Sequence, residues 1–191
     1  VTVTLTPTDA TSGVDETWYR LGTGGATLYA GPFDVDASGE TTVTFWSVDV
    51  AGNAEVPDTT NVLIDTTAPV ATDDAPDGWQ TADVTVAVDA ADADSGVSQI
   101  DWLRTEPGGA SSVGTSSALP FLFPVTTEGT TTIEYSAIDN AGNRCATETA
   151  TVRLDKTAPT TLASHATGWQ NSPVTVTLTP TDATSGVDET W

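Results

Sequence analysis

Short runs in which every second residue is apolar dominate this chain. Val1, Val3 and Leu5 alternate with Thr2, Thr4 and Thr6, and Val84, Val86 and Val88 alternate with Thr85, Ala87 and Asp89. The same alternation sets Val43, Phe45 and Ser47 against Thr44, Trp46 and Val48. It recurs where Ile133, Tyr135 and Ala137 face away from Glu134, Ser136 and Ile138. Successive strand side chains point to opposite faces, so a period of two predicts half-buried antiparallel strands. No run has a helical period, and Gly, Pro, Asp and Asn interrupt the chain at intervals typical of sandwiches. The pattern therefore predicts an all-β fold of antiparallel β-sandwiches. In the second half of the chain, strand A falls in about 68–76, B in 83–90, C in 97–104, a middle strand in 121–125, F in 130–139 and G in 146–155. Residues 91–96 form the B–C loop, 105–118 a loose Gly/Ser segment and 140–143 the F–G turn. Sandwiches of the immunoglobulin type place a core Trp on strand C, so Trp18 and Trp102 are expected inside.

The chain also repeats itself. Residues 1–18 and 174–191 are identical, an offset of 173 residues. A weaker repeat lies within that period. Asp9–Val14 matches Asp92–Val97 at an offset of 83, whereas Asp49–Asn53 matches Asp139–Asn143 at 90. Ile64–Pro69 likewise matches Leu154–Pro159, and Gly78-Trp79-Gln80 matches Gly168-Trp169-Gln170. One period is thus two diverged modules of roughly sandwich-domain size. The expected boundaries are 1–66 for module one (its first strand lying in a preceding copy), 67–156 for module two, and 157–191 for the start of the next module one. The chain reads as a window cut from a longer array.

Three motifs recur in order: a D-x-T-A-P linker, a D-x-x-S-G-V loop and a D-x-A-G-N turn. In that order they resemble the tandem bacterial Ig-like, or fibronectin-III-like, repeats of large extracellular surface adhesins. The resemblance covers the whole chain. It implies tandem Ig-like or fibronectin-III-like sandwiches, placement outside the cell and Ca²⁺ between modules.

Composition sharpens the picture. Asp+Glu number 27 and Lys+Arg 5, for a net charge of −22. Such a chain is repelled by phosphate backbones, which excludes nucleic-acid partners, and by anionic lipid surfaces. No apolar stretch is long enough to span a bilayer.

The acids fall at recurring places. In a seven-stranded sandwich the B–C and F–G loops lie at the end where the chain enters. Asp65 of the linker, Asp92 and Asp94 of the B–C loop and Asp139 of the F–G turn would then converge, with Asn143 adding a carbonyl oxygen. The next junction would use Asp155 and Asp182, the copy of Asp9; module one's own set is Asp9, Asp49 and Asn53. Carboxylates with carbonyl oxygens suit Ca²⁺, a hard cation wanting six to eight oxygens. The plainer alternative is that these residues open turns by bonding their own backbone, with Gly52 and Gly142 supplying positive φ.

Other residues carry less. Cys145 is the only Cys, so no internal disulfide forms, and it reads as a small residue without a partner. Lys156 is the only Lys; a cross-link to Asn is disfavoured because module one has Thr66 there. His165 has no triad around it. Trp79 and Trp169 are expected to pack beneath the linkers. Trp46, on the polar side of its strand, reads first as a partly covered surface residue, with a platform for surface glycans or a contact between neighbouring strands of a fibre as the alternatives. No catalytic constellation emerges, and the chain reads as a non-enzyme. The expectation is a structural repeat of a long extracellular fibre, stalk or adhesin, stiffened by Ca²⁺. Its partners would be neighbouring repeats of the same protein in a homopolymeric filament. The alternative is a carbohydrate-binding accessory module of a secreted protein.

Overall fold

A computed structural model describes residues 1–190; Trp191, the last residue of the repeated block, lies outside them. The described residues hold strands and no helix. The chain divides into two compact units, 1–67 and 68–191.

Unit one contains β1 (Thr2–Val3), β2 (Val14–Leu21), β3 (Thr27–Leu28), β4 (Phe33–Asp34), β5 (Gly39–Asp49) and β6 (Asp58–Ile64). Four of these form an antiparallel sheet in the order β3-β2-β5-β6, and β1 pairs with β4. Val35, Val43 and Val62 are its buried core, flanked by Val3, Leu21, Phe33, Phe45 and Ile64.

Unit two contains β7 (Val70–Asp73), β8 (Trp79–Gln80), β9 (Val84–Ala91), β10 (Val97–Thr105), β11 (Ser111–Ser116), β12 (Phe121–Val125), β13 (Gly129–Asp139) and β14 (Glu148–Leu154). The hairpin pair β15 (Thr160–Ser164) and β16 (Thr177–Thr181) completes it. One sheet runs β11-β10-β13-β14-β8 and the other β12-β9-β7. Their inner faces meet in one core. Val86 and Val88 of β9 and Phe123 and Val125 of β12 face Ile100 of β10, Ile133 and Tyr135 of β13, and Val152 and Leu154 of β14. Each side chain of this size that is removed from water contributes roughly 1.5–3 kcal/mol. The alternation read from the sequence is the burial pattern of these strands: β14 alternates exposed and buried from Thr149 to Leu154.

Two strands were not legible. The segment expected to be loose contains β11, which pairs with β10 from Ile100↔Ser116 to Thr105↔Ser111. Val113 is the one branched aliphatic residue in β11, so its pairing comes from the backbone rather than from side-chain pattern. Gly114 lies opposite Trp102, and a Cβ there would sit 2.6 Å from the indole, so the bare glycine accommodates the ring. β8 is a two-residue strand parallel to the end of β14.

The strand C aromatics need a correction. Trp102 packs on the core, its ring 5.3 Å from Phe123 and edge-on to it. Trp18 does not do the same in unit one. Pairing sets Tyr19 opposite Phe45 just as Trp102 lies opposite Tyr135, so Tyr19 is the inward residue, stacked 3.8 Å from Phe33. Trp18 is one residue earlier, and a one-residue step reverses the face. Its indole N–H donates to Glu16 (3.1 Å), and it lies opposite Trp46. The offset of 83 aligns Trp18 with Asp101 and Tyr19 with Trp102, which was the available signal.

The tryptophans of the G-W-Q motif also differ from expectation. Trp79 is 41% exposed on the β8 edge and Trp169 is fully exposed. What the motif does is close a turn: Gln80 Nε2 donates to the Asp77 carbonyl and Gln170 Nε2 to that of Thr167.

Candidate metal centre

Both units turn β5 or β13 into its return strand in the same way. In unit one the Asp49 carboxylate accepts the Asn53 backbone N–H (2.7 Å) and the Asn53 side-chain amide (2.8 Å). In unit two Asp139 accepts the same two donors of Asn143, each at 2.8 Å. Gly52 and Gly142 take φ of 88° and 94°, a left-handed geometry that glycine adopts without strain. The side-chain nitrogen of each Asn is therefore committed to its Asp. The return strand adds one more shared bond. Glu55 accepts the Ser47 N–H (3.0 Å), and at the matching place the Cys145 sulfur accepts the Ala137 N–H (3.1 Å). Cys145 is a free, half-buried thiol with that local task.

The loop before strand C is also built alike. Asp9 gathers the N–H groups of Thr11 (3.0 Å), Ser12 (2.8 Å) and Gly13 (2.8 Å) on one oxygen. Asp92 accepts those of Asp94 (3.2 Å) and Gly96 (2.8 Å), and Asp182 those of Thr184 (3.0 Å) and Gly186 (2.8 Å). Asp94 is exposed and enters this loop through its N–H. A register shift at the start of strand C recurs between Val14 and Glu16 and between Val97 and Gln99. Such a bulge bends the strand where the acidic loop begins. The linker acids cap their own Thr: Asp65 accepts the Thr67 N–H (2.9 Å) and Asp155 that of Thr157 (3.0 Å). So the turn-forming role of these acids is real in every loop.

The acids are also brought together. In unit two, carboxylate oxygens of Asp92 and Asp139 lie within 4.8 Å of each other, and Asp139 is 2% exposed. Oxygens sharing a Ca²⁺ at 2.3–2.6 Å each would be about 5 Å apart or less. An ionised carboxylate has about four lone-pair sites, so the bonds already made leave capacity for a cation. Asp155, 7% exposed, also accepts the Ser185 N–H (2.9 Å), which ties the end of one module to the loop that opens on Asp182. The donor set is oxygen throughout and fits a hard divalent cation.

These hydrogen bonds hold three carboxyls below the ordinary value of 3.8. For Asp9 the leading cause is the Gly13 N–H, for Asp49 the Asn53 side chain, and for Asp155 the side chain of Ser185. A carboxyl depressed on folding contributes stability that is complete above its unfolded value and lost as pH falls through the folded one. Below about pH 4 the chain is therefore expected to unfold at lower urea than at pH 6, as urea titrations at the two pH values would measure.

The other candidate residues lie apart from these loops. The Lys156 ammonium bonds Asp83 (2.8 Å) and the Thr126 carbonyl (2.9 Å). His165 is exposed beside the Ala166 carbonyl. Among the described residues, no helix is long and apolar enough to cross a membrane. The outer faces of the two strand C–F pairs differ sharply. Trp18 and Trp46 face each other in unit one, where unit two has Asp101 and Ser136 joined by Arg144.

No protein-family model matches the chain, and no curated protein matches it. Among solved structures it is similar to one described as "Structures of Clostridium thermocellum CbhA fibronectin(III)-like modules". The identity is 17%, the match covers 78% of this chain and 82% of that one, and the TM-score is 0.38. The chain's own strand order and core make it an all-β protein of antiparallel, fibronectin-III-like sandwich architecture.

Proposed function

We propose that this chain is a non-catalytic spacer segment of a long extracellular fibre, stalk or adhesin. Alternating sandwich modules set its reach, and Ca²⁺ stiffens the junctions between them. The observation that carries the reading is the approach of Asp92 and Asp139 within 4.8 Å at one end of unit two. Asp65 is the third acid of that proposed set, by analogy with Asp155, which bonds the loop that follows it in unit two. A net charge of −22 makes the metal useful, since a divalent cation replaces repulsion between carboxylates with attraction to a shared centre. The identical blocks 1–18 and 174–191 support an array of equivalent units, in which length grows by adding repeats.

Thermal unfolding with Ca²⁺ against EGTA tests this. At Ca²⁺ about 100-fold above its Kd the gain is about 2.7 kcal/mol, which raises the Tm of a chain this size by roughly 5–10 °C. Equal melting in Ca²⁺, Mg²⁺ and EGTA, with no heat on calorimetric titration, would end the metal half of the reading. The Trp18–Trp46 pair favours the alternative of a glycan-binding accessory module. Quenching of tryptophan fluorescence by a soluble polysaccharide, abolished by Trp46→Ala, would move the function there.

A further inference from the structure

We infer that the free edge of β11 pairs with the same edge of a second copy of this chain, about a two-fold axis at Val113. β11 is the last strand of its sheet and is bonded on its β10 side alone. The strands nearest the linkers, β7, β8 and β14, lie toward the opposite edges of the two sheets, so the chain enters and leaves the module away from β11.

The preceding hairpin fixes which backbone groups are free. The Glu106 N–H donates to the Ala110 carbonyl (2.8 Å), so these two residues face each other. Alternation along the ladder then turns the N–H and C=O of Ser111, Val113 and Thr115 away from β10. An antiparallel second copy sets Val113 opposite Val113 and Ser111 opposite Thr115, and each such pair exchanges its free N–H and C=O. The same patch is used on both sides, as a two-fold contact requires.

Sheets guard such edges with charge, proline or short length. β12, the edge strand of the other sheet, carries Pro124. β3, which pairs with strand C of unit one as β11 does in unit two, has only two residues. β11 has six residues, no proline and no charge, and its Val113 is 74% exposed.

Electrostatics selects the occupant. A net charge of −22 makes copies of this chain repel one another. Around β11 that repulsion is absent, because residues 107–127 contain no charged side chain. The charges that border β11 are paired internally: Arg104 bonds Glu106 (2.7 Å), and Arg144 bonds Asp101, which lies opposite Thr115. A neutral flank matches its own copy, whereas a cationic partner would be drawn to the acidic surface elsewhere. Each 173-residue period carries one β11, so an array presents this edge repeatedly and weak single pairings reinforce one another. The two-fold axis reverses strand direction, so paired chains run in opposite directions.

This association stands apart from the spacer reading, which survives if it fails. The test uses the full 191-residue chain with Cys145→Ser, which removes its only thiol and whose hydroxyl can take over the bond from Ala137. Val113→Cys is added and the protein is mildly oxidised. A disulfide dimer is expected at least about 10-fold above that of Leu122→Cys, an exposed control on the proline-bearing β12, since opposed strand residues lie within disulfide reach. In sedimentation velocity the Cys145→Ser parent should associate more strongly as NaCl rises from about 0.1 to about 1 M, because salt screens the net charge. Val113→Glu opposes two carboxylates at the axis and should abolish this association, with an unchanged circular dichroism spectrum. Leu122→Glu adds the same charge off the strand and should leave it intact. A cross-link no stronger than the control, or association of Val113→Glu equal to that of the parent, overturns the proposal.

Discussion

Trp102→Ala is expected to destabilise unit two by about 3 kcal/mol, read as a fall of roughly 1–2 M in urea midpoint by far-UV circular dichroism. The indole stands 5.3 Å from Phe123 and 6.0 Å from Phe121, and covers the bare Gly114 opposite. Truncation removes that aromatic cluster and leaves a cavity that a β-sheet scaffold fills poorly. Trp102→Phe should cost much less, because the buried indole N–H has no acceptor and its loss leaves nothing unpaired. Gly114→Val should be harmful from the other side, by about 1–3 kcal/mol, since its Cβ would meet the ring at 2.6 Å. An unchanged midpoint for Trp102→Ala would mean that Phe121 and Phe123 hold the core without it.

The second large effect is at Asp139. Its carboxylate is 2% exposed and accepts both the backbone and the side-chain N–H of Asn143. Asp139→Ala removes two hydrogen bonds to a buried carboxylate, at about 1–3 kcal/mol each, so a total near 3 kcal/mol is expected. Asp139→Asn keeps one carbonyl oxygen and should retain about half of that. The pair separates turn from metal. If Asp139 serves only the turn, Asp139→Asn melts a few degrees lower and Ca²⁺ adds nothing to either protein. If it also binds Ca²⁺, the same variant loses the Ca²⁺-dependent rise in Tm that the parent shows.

Much of the fold was legible because β strands with one wet face write their burial into the sequence. β9, β13 and β14 follow an apolar/polar alternation, β12 is a short Phe-rich run, and all four appear within a residue or two of where the sequence puts them. β11 was not legible, since a strand of Ser, Gly and Thr has no face to alternate. The inward aromatic of unit one was misplaced for a related reason. Trp18 and Tyr19 are adjacent, either can fill a core, and only pairing decides which one turns inward. For the candidate centre, the sequence identified the acidic loops and offered two uses for them, turn bonds and a cation, without deciding between them. Asx-type turns and cation sites use the same residue types, and a linear string does not distinguish a carboxylate that caps its own loop from one that also faces its neighbour. Asp73 and Asp74 show the limit from the other direction. No motif marks them in the sequence, yet one accepts the Tyr135 hydroxyl and the other the Ala87 N–H.

Asp73 and Tyr135 stand where the next module's first strand has Ala163 and module one has Phe45, which has a consequence for how such a chain is made. During synthesis, neighbouring modules with interchangeable first strands would trap one another in wrong pairings, the common failure of repeat proteins. Here a wrong choice is penalised in both directions. Asp73 against Phe45 would bring a carboxylate against a ring that offers it no donor, and Ala163 against Tyr135 would leave a phenol with no acceptor. The two first strands are thus not interchangeable: Asp73 accepts the Tyr135 hydroxyl, and Ala163 carries no acceptor for one.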